Sequence, residues 1–253
     1  MKYTKNIPKT LFEEDKNYLG KPANFDDRII QRRLRLLKKI PEFTSENLTL
    51  LEIGCGNGAS LFGLQKDFKF CLGLDITDKH LSVFNDFKQQ NNIQNCEYRQ
   101  IDIETNTLSE QFDRIISFEV IEHLRNENGV KFYYDTLKSG GLMLVSVPNK
   151  WWIFETHGAK LPLLAWNRVP FFSWLPKFIH ERLANARIYT KKRIVKLLKN
   201  QGFTVLSTEY IMAPMDVLPK GKFKDFVIKH FFNKDTTKIP FKSTSILVLA
   251  KKP

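Results

Sequence analysis

The chain has 253 residues, 42% hydrophobic and 13% aromatic, with 40 Lys+Arg against 27 Asp+Glu and a formal net charge of +13. That apolar content excludes a disordered chain, and no apolar run approaches the ~18 residues of a membrane-spanning helix. Three cysteines, Cys55, Cys71 and Cys96, show no CxxC spacing, which argues against a disulfide scaffold and a cysteine-based zinc site.

The N-terminus lacks the apolar core of a secretory signal, so a cytoplasmic location is expected. The basic excess fits solubility, RNA, or peripheral contact with an anionic membrane. Residues 1–25 are polar and read, with the helix that follows, as an N-terminal helical cover over 1–45. From Asp26 onward Ile30, Leu34 and Leu37 recur at i, i+4, i+7 behind Asp26 and Asp27, which predicts an amphipathic helix with acids at its positive end. Its six cations, Arg28, Arg32, Arg33, Arg35, Lys38 and Lys39, are expected mostly on exposed faces. Pro41 ends it.

Short apolar runs and helical stretches then alternate. Strands are expected at 48–53, 70–76, 96–101, 112–118 and 142–147, with helices following the first turn through 67, over 78–91 and over 126–138. Repeated β-α units of this length imply a parallel sheet with helices on both faces. After Pro148 the rhythm breaks. Residues 149–188 hold all four tryptophans (Trp151, Trp152, Trp166, Trp174) with Pro162, Pro170 and Pro176. A helix over 190–200, a strand over 203–210, a basic stretch over 222–234 and a final strand over 245–250 complete the chain. In the basic stretch Phe223, Phe226, Val227 and Phe231 share one helical face.

The most informative segment is Leu50-Leu51-Glu52-Ile53-Gly54-Cys55-Gly56-Asn57-Gly58, a strand ending in an acid and turning through alternate glycines into a helix. Residues without side chains let the backbone bend sharply and let a ligand approach it closely. Asp75 ends the second strand, where an acid can bind both ribose hydroxyls of an adenosine cofactor. Asp102 ends the third, and Glu119 follows the fourth in Ser117-Phe118-Glu119-Val120-Ile121-Glu122-His123-Leu124.

In these segments, together with LKSGGLMLVSVPN at 137–149, the chain resembles the class I S-adenosylmethionine-dependent methyltransferases over about 48–210. Within them it looks most like the ubiquinone-biosynthesis O-methyltransferase and type 11/23 group. The resemblance implies a single α/β domain over 1–253. Its Rossmann-like sheet would have seven strands, mostly parallel with the last antiparallel. The cofactor-binding core would span 46–148, an aromatic lid or acceptor insert 149–188, and the rest of the core 189–253. It places Gly54, Gly56 and Gly58, with Cys55 in the same turn, beneath the methionine moiety, Glu52 fixing that turn or approaching the cofactor's amino-acid end, Asp75 on the ribose, Ile76 against adenine, Asp102 and Ile103 on the adenine edge, and Glu119 on the methionine side.

Glu119 and Glu122, spaced i and i+3, would share a face if a helix starts there. Two carboxylates with His123 could hold a hard divalent ion such as Mg²⁺, as the resemblance also implies, with His157 a fourth ligand or a general base. Glu122, His123 and His157 are therefore the catalytic candidates. The expected activity is O-methylation of a small or lipid-linked acceptor, the aromatic insert bordering its pocket. RNA 2′-O-methylation with Mg²⁺ is the alternative, although no RNA-binding module accompanies the core, and a non-catalytic cofactor-binding scaffold is the third reading. The oligomeric state is left open.

Overall fold

The alternation of apolar runs and helical stretches produces a layered α/β architecture in the computed structural model. It describes residues 25–155, 157–161, 164–166 and 170–253. The start of the expected cover, Pro162 and the Trp166 side chain lie outside the described residues.

The first helix, α1 (Arg28–Lys38), precedes β1 (Ser45–Ile53), α2 (Ala59–Leu64), β2 (Phe68–Asp75), α3 (Leu81–Gln90), β3 (Cys96–Gln100), β4 (Phe112–Phe118), α4 (Val130–Thr136) and β5 (Leu137–Pro148). A short hairpin of β6 (Ala159–Leu161) and β7 (Leu164–Trp166) follows, then α5 (Lys177–Leu183), α6 (Lys191–Asn200), β8 (Thr204–Met212), α7 (Lys222–Phe231), β9 (Thr236–Thr237) and β10 (Ser243–Lys251). Among the described residues, eight strands form one sheet in the order β3-β2-β1-β4-β5-β10-β8-β9. The first five pair in parallel. β10 runs antiparallel between β5 and β8, and β9 adds two antiparallel residues beyond β8. The seven expected strands are all present; β9 is too short to show an alternation in sequence.

Two apolar layers sandwich this sheet. Successive side chains of a strand point to opposite faces, so Leu51 and Ile53 pack with Val130, Tyr133, Leu197 and Leu198, while Leu50 packs with Leu34, Leu61 and Phe84. Each fully buried leucine contributes about 1.5–3 kcal/mol. Continuous apolar runs in the central strands follow directly from this double burial.

Helix α1 buries Ile30, Leu34 and Leu37 as its period predicts, and four of its six cations, Arg28, Arg35, Lys38 and Lys39, are exposed as expected. Arg32 and Arg33 are buried, at 1% and 5% exposure. Arg32 donates to the carbonyls of Met212 (2.6 Å), Ala213 (2.8 Å) and Phe232, and burial beside Arg28 brings its pKa down to about 10. Of the remaining cations, Arg35 and Lys39 pair with Asp235 and Lys38 with Asp67. Arg32 and Arg33 fasten the helix internally, while the side chains of Arg35, Lys38 and Lys39 remain solvated.

The helix expected over 126–138 starts later. Asn126 Oδ1 accepts the Asn128 amide (2.9 Å), a 3₁₀ turn runs over Glu127–Gly129, and α4 begins at Val130. The turn at 139–141 is drawn into the sheet instead: the Gly140 amide donates to Lys252 O (2.9 Å) and the Lys252 amide to Gly141 O (3.1 Å). In the insert Trp152 is buried with Ala213, Met215 and Ile228, whereas Trp151 and Trp174 are exposed.

Candidate active site

Open parallel sheets bind ligands beyond the carboxyl ends of their strands, and here a cavity of about 880 Å³ lies there. It is lined by the β1–α2 turn, by Asp75 and Ile76, by Asp102 and Ile103, and by Glu119, His123 and His157. Arg33 and Glu52 reach it from α1 and β1.

The turn is built from left-handed backbone. Gly54 and Gly58 have φ of +77° and +82°. A Cβ on Gly54 would stand 2.2 Å from Val120 Cγ2, and one on Gly58 would meet the Phe84 and Phe62 rings at 2.6 and 2.8 Å. The Gly54 and Cys55 amides both donate to Leu74 O (2.8 and 3.0 Å), locking the turn to the end of β2. Cys55 is buried, and desolvation raises its thiol pKa well above the ordinary value.

Each acid at a strand end has a separate environment. Asp75 accepts the Gly56 amide (2.9 Å) through Oδ2 and the Thr77 amide (3.2 Å) through Oδ1. Burial nonetheless raises its pKa, opposed by those amides. Glu52 is 3% exposed; desolvation pushes its pKa up to about 8 against the lowering contacts of Ser60 and the Leu61 amide. Asp102 pairs with Arg125 and accepts the Glu104 amide (3.0 Å). Ile76 and Ile103 stand on the cavity wall beside them.

Glu119 corrects the sequence expectation. It adopts φ +60°, and a 3₁₀ turn at Ile121–His123 follows, so no helix starts at Glu119. Its Oε1 accepts Arg33 Nη2 (2.8 Å) and Ser146 Oγ (2.7 Å). Glu122 is instead fully buried near two imidazoles: ligand atoms of Glu122, His123 and His157 all lie within 4.8 Å of one another. Both Glu122 carboxylate oxygens lack a hydrogen-bond partner among the described residues. Desolvation, then the Glu119 charge, raises the Glu122 pKa well above the usual range, and desolvation drives that of His123 well below 6.5.

His157 sits between two acids. Its Nε2 is 3.5 Å from Glu122 Oε1 and its Nδ1 is 3.8 Å from Glu155 Oε1. Glu155 also accepts the His157 amide (2.9 Å) and Ser173 Oγ (3.2 Å), and its Oε2 lies 2.7 Å from His180 Nε2. Burial alone would raise the Glu155 pKa, but the His180 bond and the neighbouring His157 lower it. Arg187 fastens the other side: its amide and guanidinium donate to carbonyls of Glu122, Leu124 and Arg125.

Sequence reasoning missed Arg33, Glu155, His180 and Arg187. The Glu155-x-His157 spacing was the only local sign of any of them.

Fold and site together define a nucleotide-cofactor enzyme of the Rossmann-like type, with glycine turn, strand-end acids and cavity in the positions such cofactors require. A methyltransferase-domain family model matches residues 24–208, and the chain belongs to that family, the class I S-adenosylmethionine-dependent methyltransferases. It is 31% identical over 141 residues to a ubiquinone biosynthesis O-methyltransferase of Bartonella tribocorum, covering 54% of this chain and 53% of that protein. It is 28% identical over 187 residues to the protein of that name from Dinoroseobacter shibae, covering 68% and 70%. The chain spans about half the length of most of the curated relatives it matches. The fold is shared with an S-adenosylmethionine-dependent methyltransferase from Mesorhizobium loti (TM-score 0.62, 15% identity, 90% of this chain and 100% of that one). It is also shared with a coclaurine N-methyltransferase bound to N-methylheliamine and S-adenosylhomocysteine (TM-score 0.58, 16% identity, 87% and 72%). No helix among the described residues is long and apolar enough to cross a membrane.

Proposed function

We propose that this methyltransferase methylates a hydroxyl oxygen of a small or lipid-linked acceptor, with His157 taking the proton. The observation that carries this reading is His157 itself, on the cavity wall with a buried acid, Glu155, behind its Nδ1. S-adenosylmethionine, when bound, supplies an electrophilic methyl, so the protein has only to position the nucleophile, exclude water and accept a proton.

The cavity suits the cofactor. Its volume lies in the range of small-ligand sites, and the Gly54 contact shows a turn with no room for side chains. Asp75 would bind the ribose hydroxyls with the lone pairs its two amide donors leave free. Asp102 and Ile103 would face the adenine edge and Ile76 its ring, while Glu52 and the turn Gly54, Cys55, Gly56 and Gly58 would run beneath the methionine moiety. Arg33 adds what the acids cannot: a buried guanidinium whose Nε has no partner among the described residues. It would pair with the cofactor's carboxylate while Glu119 approaches the amino group.

Glu122, His123 and His157 also suit a divalent cation. The imidazole of His123, held neutral, is a ligand form, and the Glu122 carboxyl, whose pKa burial raises, would release its proton on binding an ion. One carboxylate with two nitrogens matches Mn²⁺, Co²⁺ or Zn²⁺ better than Mg²⁺, which prefers an all-oxygen shell. Such an ion would lower the pKa of an acceptor hydroxyl and would then replace His157, its ligand, in the role of base. Glu119 stands outside this set, engaged by Arg33. The arginines at 28–39 favour RNA less than expected, because Arg32 and Arg33 are buried and Arg35 pairs with Asp235.

The test is methyl-label transfer from S-adenosylmethionine into a cell extract separated into lipid, RNA and small-molecule fractions. Label should enter the lipid or small-molecule fraction, and His157→Gln should reduce the rate about 10²-fold or more with cofactor affinity unchanged. Inhibition by a chelator, reversed by Mn²⁺, would place an ion at the same site. Label confined to RNA would overturn the acceptor class, and full activity of His157→Gln would remove its role.

A further inference from the structure

Helix α7 turns one apolar face outward. Phe223, Phe226 and Phe231 are 69%, 54% and 53% exposed and, with His230, recur at the spacing of a single helical face. The opposite side is anchored: Ile228 is buried with Trp152 and Met215, and Arg32 bonds the Phe232 carbonyl just past the helix end. The outer rings form a cluster, with Phe226 4.5 Å from His230 and 6.4 Å from Phe231. Lys242 lies over Phe231 at 5.9 Å. Soluble surfaces carry scattered apolar side chains; large aromatics gathered on one anchored helix face mark an interaction site.

Charge says what the partner is. Residues 220–242 contain seven lysines and two aspartates. Asp235 is committed to Arg35 and Lys39, so it does not neutralise them. Lys222 and Lys229 flank the aromatic face and are exposed. Phenylalanines between solvent-facing lysines match the boundary of an anionic bilayer, where rings enter the acyl region and ammonium groups meet phosphate. The face is also placed for this use: Lys224 of α7 pairs with Asp216 (3.2 Å), and Asp216 lines the cofactor cavity.

We infer that the aromatic–lysine face of α7 docks the enzyme onto an anionic lipid surface, with the mouth of the cavity beside the membrane. The inference deepens the lipid-linked acceptor proposed above and rests on that reading for its purpose. The binding itself is measurable without any acceptor. Each lysine at such a surface is worth about fivefold in partitioning, and one inserted ring adds more than one lysine does.

The full chain is sedimented with vesicles of phosphatidylcholine alone or with about 30% phosphatidylglycerol, at about 0.1 M salt. It should partition to the anionic vesicles at least about tenfold more strongly. F223S/F226S/F231S should lose about tenfold or more of that binding, while its melting temperature and its affinity for S-adenosylhomocysteine stay unchanged. K222Q/K229Q should weaken the anionic preference several-fold. The inference is overturned if the wild-type chain stays in solution with both vesicle types, or if the triple serine variant partitions as the wild type does. It is equally overturned if α7 proves to join two copies of this chain, seen as a dimer that the triple variant dissociates, or to hold RNA, in the absence of vesicle binding. None of those results touches the label-transfer experiment, so the docking face and the acceptor class fail separately.

Discussion

Arg33 lies between Arg32 and Leu34 on α1, and all three side chains are buried. A helical period sorts residues into apolar and polar, and by that rule Arg33 belongs outside. A guanidinium can nonetheless be buried when its donors find acceptors, and here Glu119 supplies one at 2.8 Å with the Phe118 ring 5.1 Å from the guanidinium. Desolvation lowers its pKa, and Glu119 followed by Glu122 raises it again. Arg33→Gln should raise the Kd for S-adenosylhomocysteine by about tenfold or more, near 1.4 kcal/mol, measured by calorimetry. An unchanged Kd would make Arg33 a purely structural partner of Glu119. The acids of the site were readable from sequence because each follows a strand within a short motif. The cation facing them was not, because its role depends on a contact across 86 residues.

The β1–α2 turn shows the same division at the level of an element. Its glycines signal a tight bend, and the structure supplies the reason each is needed, with Gly54 at φ +77° and Val120 Cγ2 in the space a Cβ would occupy. Gly54→Ala carries two costs, about 1–2 kcal/mol for the left-handed backbone and about 1–3 kcal/mol for overpacking. Denaturant melts of Gly54→Ala, Val120→Ala and the double variant should show the overpacking part relieved in the double and the backbone part retained. Strictly additive effects would mean that Val120 moves aside at no cost. Strand order and the parallel core follow from the β-α rhythm. Glu119, by contrast, was misplaced: i, i+3 spacing implies a shared face only within a helix, and its φ of +60° breaks the helix before it begins. The insert was legible only as composition. Trp152 entered a core with Ala213 and Ile228, residues far along the chain, whereas Trp151 beside it stayed exposed.

Global stability couples to the site through Glu52, which β1 carries between β2 and β4 in the middle of the sheet. Its carboxyl titrates near 8 in the folded protein because burial disfavours the anion, against an unfolded value of 4.5. The folded chain therefore holds this proton more tightly than the unfolded chain. The stability it contributes is complete below about pH 4.5 and is lost progressively as the pH rises to about 8. Glu52→Gln removes that dependence without removing the shape. The variant should match the wild type near pH 4 and exceed it increasingly up to about pH 8, by an amount on the order of a few kcal/mol. The melts must use cofactor-free protein, because a ligand that binds only the folded chain stabilises it by mass action and would mask the difference. Parallel stability curves for the two proteins would show that Glu52 keeps an ordinary pKa. It would then be a full anion next to Arg33 at neutral pH, and the role proposed for it toward the methionine moiety would be that of a fixed negative charge rather than a protonated donor.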